Sequence, residues 1–144
     1  MTFNVGLAHK ALVWINNHPD EWNQSSWRCQ TGMCFAGIVD QIAGGKWVIQ
    51  EPTDDRMVNI LLIANQADED AGLSIRYHGT ERVVTAANRA SRLLGIYPLN
   101  PLDIDLFHSG NTLEDLERYV DAYAAESEGD HETAQALIYG ELMT

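Results

Sequence analysis

The side chains best suited to chemistry crowd into one short stretch: His18, Trp22, Gln24, Trp27, Cys29 and Cys34. Residues 18–30 are polar and read as a loop, with Pro19 closing whatever helix precedes it. Thr31 is positioned to cap a helix running to about Ala43, with Cys34, Ile38 and Ile42 in line along one side. On that reading Cys34 takes the third helical position, where backbone N–H groups and the helix dipole favour a thiolate. The competing reading makes Cys34 a small buried residue packing toward Ile38, since free cysteine is among the most buried residue types.

The segment Gln30-Thr-Gly-Met-Cys34-Phe-Ala-Gly resembles the surroundings of the nucleophile in papain-like cysteine peptidases, where a cysteine also opens a helix. In that family an oxyanion glutamine stands six residues before the cysteine, whereas this chain has Arg28 there. If the chain is an enzyme, the resemblance implies a cysteine hydrolase centred on Cys34; no downstream histidine has that family's context, and His78, at the end of an expected strand, is the candidate base. A zinc site would have to combine Cys29 and Cys34 with His18 or His108. The chain has two thiols and no histidine pair beside them, so no metal is expected. Glycine-rich phosphate loops, paired histidines on a helix and Gly-x-Ser-x-Gly elbows are missing from the sequence. No cofactor is expected.

Charge is the second uneven feature. The chain of 144 residues carries a net −12. Residues 103–144 hold eleven acids against one base, Arg118, a net of −10. The acidic end argues against direct contact with nucleic acid or anionic membranes, both of which are bound through clustered Lys and Arg. Glu114, Glu117 and Asp121 fall on one side of an expected helix whose other side is apolar. A concentrated negative surface steers association with basic proteins, including those that normally hold DNA. An ordinary solvated helix side is the plainer reading of the same pattern.

The elements that must position these residues are mainly helical. Val5, Ala8, Leu12 and Ile15 predict a helix from about Val5 to Asn17, capped by Asn4. Gly44-Gly45 ends the helix that starts at Thr31. Lys46–Gln50, Ile60–Gln66 and Leu73–His78 predict a small β-hairpin or three short strands, with Asp68-Glu69-Asp70-Ala71-Gly72 as an acidic turn. A helix over residues 54–66 competes for the middle. Thr85 caps a further helix closed by Gly95. Asn100-Pro101 opens a short helix ended by Gly110. Thr112-Leu113-Glu114-Asp115 approximates a capping box for a helix burying Leu113, Leu116, Val120 and Tyr123, and a last helix covers Asp130 to about Tyr139. The expected fold is α+β, mainly α, with about five helices, in one domain over residues 1–144.

The longest apolar run, Ile60–Ala64, is far short of the roughly 20 residues that span a membrane. The first residues show neither a basic cluster nor an apolar segment with a cleavage site, so a cytoplasmic setting with reduced thiols is expected.

The ordered pattern His18-Pro19, Trp22-x-Gln24-x-x-Trp27-x-Cys29-x-Thr31-x-x-Cys34-x-Ala36-Gly37, then Arg92-Leu93-Leu94-Gly95 and Asn111-Thr112-Leu113-Glu114-Asp115-Leu116 resembles a family of small actinobacterial and actinobacteriophage proteins. This chain has Gln30 where the pattern has glycine. The family has no assigned activity, so the resemblance implies only a cytoplasmic protein, in the phage case one that binds a host protein. Together these readings predict a non-enzymatic protein-interaction module whose contact residues are His18, Trp22, Gln24, Trp27, Glu114, Glu117 and Asp121. The alternatives are the Cys34 hydrolase and an acidic mimic of DNA that inhibits a DNA-binding protein.

Overall fold

A computed structural model describes residues 3–22, 34–48, 61–77, 81–108 and 110–139. The first helix, α1, covers Val5–Asn17 as its periodicity predicts and buries Ala8, Ala11, Leu12 and Ile15. Asn4 does two jobs at its start. Its Oδ1 accepts the Leu7 N–H at 3.1 Å, and its own N–H donates to the Leu94 carbonyl at 2.7 Å. After α1, Pro19 opens a 3-10 turn over Pro19–Glu21.

The second helix, α2, covers Phe35–Ile42, with Cys34 as its N-cap in an extended conformation. This corrects the expected placement of Cys34 in the third helical position. The expected cap, Thr31, lies outside the described residues. Gly44 turns the chain at φ +84°, and Gly45 lets it pass close to the sheet. A Cβ on Gly45 would meet Leu62 Cδ2 at 2.5 Å and the Asp40 carbonyl oxygen at 2.9 Å. Only glycine fits there.

Three antiparallel strands follow, β1 (Leu61–Ile63), β2 (Ile75–Tyr77) and β3 (Glu81–Thr85), in the order β1-β3-β2. Leu62 pairs with Val84, and both Ile63 and Ile75 pair with Val83. The sequence also places a strand at Lys46–Gln50; among its described residues, 46–48, the structure shows a bridge from Trp47 to Leu62. The central strand is β3, whose short Val-Val run lacks the alternation that marks a strand. Within the competing helix over residues 54–66, the described part from Leu61 to Ile63 is strand.

The expected acidic turn is a short helix, α3 (Gln66–Asp70). Asn65 and Asp68 form a reciprocal capping box: the Asp68 N–H donates to Asn65 Oδ1 at 3.0 Å and the Asn65 N–H to Asp68 Oδ2 at 2.9 Å. The fourth helix, α4 (Ala86–Leu94), is capped by Thr85 and closed by Gly95 at φ +83°. Residues 100–108 are bends and turns rather than the expected helix. The Leu102 N–H donates to the Asn100 side chain and the Phe107 N–H to the Asp105 side chain, each at 3.0 Å. Such local bonds compete with helical ones and win here.

The fifth helix, α5 (Leu113–Ser127), begins with a capping box of Thr112 and Asp115, and α6 (His131–Tyr139) packs against it. The fold is thus α+β and mainly α. The main core joins Ile15, Phe35, Ile38, Leu94, Leu106, Leu116, Val120 and Tyr123. Phe3 stacks on Tyr123 at 4.7 Å, and the Tyr123 hydroxyl donates to Asn100 at 2.8 Å. A second small cluster of Leu62, Leu73, Val84 and Ala86 fixes one side of the sheet. Among the described residues no helix is long and apolar enough to cross a membrane.

Candidate functional site

Cys34 is 1% exposed, set among the core residues beside Phe35 and Ile38. Burial pushes its thiol up to about 11, with the charge of Asp40 acting in the same direction. The amide groups of Gly37 and Ala36 pull the other way and do not offset the loss of water. A thiol held at that value is protonated at neutral pH, whereas a nucleophilic cysteine needs its thiolate. Of the groups weighed with it, His78 and Cys29 lie outside the described residues. Among the described residues no three His, Cys, Asp or Glu side chains are grouped to hold a metal ion.

Near the end of α1, His18 is half-buried. Its ring stacks on Trp14 with centroids 4.3 Å apart, and its Nδ1 lies 2.9 Å from the Trp14 carbonyl. Trp22 is also half-buried and packs against the main core. His18 caps the end of α1, and both residues are partly buried. Gln24 and Trp27 lie outside the described residues.

On α5 the three acidic candidates behave differently. Glu114, Glu117 and Asp121 are all exposed, on the side opposite the buried Leu116, Val120 and Tyr123. At 1.5 Å rise per residue they span about 10 Å of helix. Arg118, the single base of residues 103–144, gives its Nη2–H to Asp115 at 3.1 Å and lies over the Tyr119 ring. Glu126 is engaged with His131. Among the described residues no cation forms an ion pair with Glu114, Glu117 or Asp121.

The structure also assembles a charged cluster that spacing alone does not reveal. Asp68 from α3 and Arg89 from α4 form a buried pair, with side chains 0% and 6% exposed. The Arg89 Nε–H is shared between the two Asp68 oxygens at 2.9 and 3.0 Å, and its Nη2 also donates to the Ile63 carbonyl at 2.9 Å. Arg92 adds a bond to Asp68 Oδ1 at 3.1 Å. Burial alone would raise the Asp68 carboxyl. Bonds from Arg89 and the Asn65 amide, with the charges of Arg89 and Arg92, hold it below the usual range. Asp40 of α2 lies in the field of the same arginines, fully buried, and neither of its carboxyl oxygens makes a hydrogen bond. Burial pushes its carboxyl well above the usual range, against the pull of Arg89. Burial thus favours the protonated form of Asp40.

Neither models of protein families, nor curated proteins, nor solved structures give a match to this chain.

Proposed function

We propose that the protein is a non-enzymatic interaction module that docks a basic partner protein on the outer side of α5. The carrying observation is the exposed set Glu114, Glu117 and Asp121, none of them in an ion pair, while Arg118 is bonded to Asp115. Exposed charge on a rigid helix accelerates encounter with an oppositely charged surface and disfavours acidic partners. The protonated state of Cys34 weighs toward this reading and against cysteine chemistry. In the setting implied by the sequence resemblance, the module acts in the cytoplasm and its partner is a host protein.

Affinity capture from a lysate of the native cell, run side by side with wild type and the Glu114→Lys/Glu117→Lys/Asp121→Lys variant, tests the reading. A basic protein retained by wild type, released by salt and lost from the variant supports it. Equal retention by both removes α5 from the contact. Duplex DNA added as competitor separates two classes of partner: displacement marks a DNA-binding protein, whose surface would be met by a mimic of DNA.

A further inference from the structure

Asp40 is 0% exposed on α2, and both of its carboxyl oxygens lack a hydrogen-bond partner. Orphaned polar groups this deep are rare, because each forfeits its bonds to water without replacement. The donors nearest in charge terms belong to Arg89 and Arg92 of α4, which packs against α2. Of those donors, Arg89 Nε and Nη2 and Arg92 Nε are turned to Asp68 and the Ile63 carbonyl, away from Asp40.

The element that carries Asp68 is held by that side chain and, at its surface, by a 3.6 Å ion pair between Glu69 and Arg82. The helix α3 has five residues, too few for a helix that is stable by itself. Gln66, Ala67, Glu69 and Asp70 are exposed, so Asp68 is its single buried side chain. If α3 lifted off, Arg89 would be left buried and unpaired, which ordinarily forbids such an opening. Asp40 removes that obstacle.

We propose that Asp40 is a reserve counter-ion for Arg89 and Arg92, and that it makes α3 a detachable latch. In the closed state Asp68 holds both arginines and Asp40 is a neutral acid. In the open state Asp68 leaves with α3, Asp40 gives its proton to water, and its carboxylate takes over the arginines. The groups facing Asp40 are Arg89 and Arg92 from α4, Asp68 from α3 and the thiol of Cys34 on its own helix. The buried side of α1, which also packs on α2, is Ala8, Ala11, Leu12 and Ile15 and brings no charge. Two carboxyls competing for one pair of guanidinium groups give a two-state element of the kind that a partner can bias.

Because opening releases a proton, rising pH favours it. Native-state amide exchange on the intact protein, corrected for the intrinsic rate at each pH, reads the opening at Glu69, Ala71 and Leu73. Their N–H groups bond to the Asn65, Ala67 and Asp68 carbonyls. In wild type these amides should open independently of α2 and α4. Their opening equilibrium should rise by up to tenfold per pH unit above the ordinary carboxylate range. Asp40→Asn should flatten that slope. In Asp68→Asn, carboxyl NMR should find Asp40 titrating in or below the ordinary range. Exchange of α3 only together with α2 and α4, a flat wild-type profile, or the wild-type slope surviving in Asp40→Asn would each overturn the proposal. Where a variant does not fold, the wild-type profile alone decides.

Discussion

Arg89 gives its Nε–H to both oxygens of Asp68, at 2.9 and 3.0 Å, and gives nothing to Asp40, although its charge acts on both carboxyls. One carboxyl is therefore held below the ordinary carboxylate range and the other above it in the same interior. The pair fixes α3 and β1 to α4, because Arg89 also reaches the Ile63 carbonyl. Removing Arg89 leaves the buried Asp68 carboxylate with a single arginine bond, from Arg92. Arg89→Met should lower unfolding free energy by about 3–5 kcal/mol, measured by urea denaturation. A loss under about 1 kcal/mol, the range of exposed pairs, would show that the cluster is open to water.

Asp40 makes the opposite prediction for pH. Its folded carboxyl titrates well above the unfolded value near 4. Its stabilising contribution is complete below that unfolded value and is lost as pH rises through the folded one. Asp40→Asn cannot ionise. The variant should match wild type near pH 4 and then gain on it by about 1.4 kcal/mol per pH unit until the folded value is passed. Denaturation at a series of pH values checks this, and parallel profiles for the two proteins would contradict it.

Cys34 should behave as a structural residue. At about 11 its thiol is protonated at neutral pH, so alkylation should be slow and should speed up when the protein is unfolded. Cys34→Ser places a hydroxyl in the same apolar site and should cost roughly 1–3 kcal/mol. Rapid labelling of the native protein at pH 7 would revive the hydrolase reading.

The link between α5 and α6 offers a titration readable by NMR. The Glu126 carboxylate accepts a hydrogen bond from His131, and this bond, with the charge behind it, raises the imidazole above its ordinary value. The contact therefore contributes fully below the unfolded histidine value and is lost as pH rises through the folded one. Glu126→Gln should bring His131 back toward about 6.5. An unchanged titration would assign the shift to other charges.

Most helices were legible in the sequence because their caps are local. Asn4, Thr85, Gly95 and Thr112 each act within four residues, and each stands where the pattern places it. Asn65-Gln-Ala-Asp68 carried the same signal, but its acidic composition reads equally well as a turn. Strand β3 escaped notice since its neighbours, and not its own alternation, define it. The Asp40–Asp68–Arg89–Arg92 cluster depends on contacts across 21 or more residues, as between Asp68 and Arg89, and no local spacing encodes it. Exposure of Glu114, Glu117 and Asp121 was readable because one helix period decides it.

The central claim is that the outer side of α5 meets a basic partner. Its most direct test is the association rate of the captured partner, measured against salt for wild type and for Glu114→Lys/Glu117→Lys/Asp121→Lys. Each substitution is at an exposed position and should alter stability by less than about 0.5 kcal/mol, so both proteins stay folded. Wild-type association should slow steeply as salt passes about 0.15 M, where charges are screened beyond about 8 Å, and the variant should associate more slowly at every lower concentration. Equal rates for the two proteins, unchanged by salt, would contradict the account.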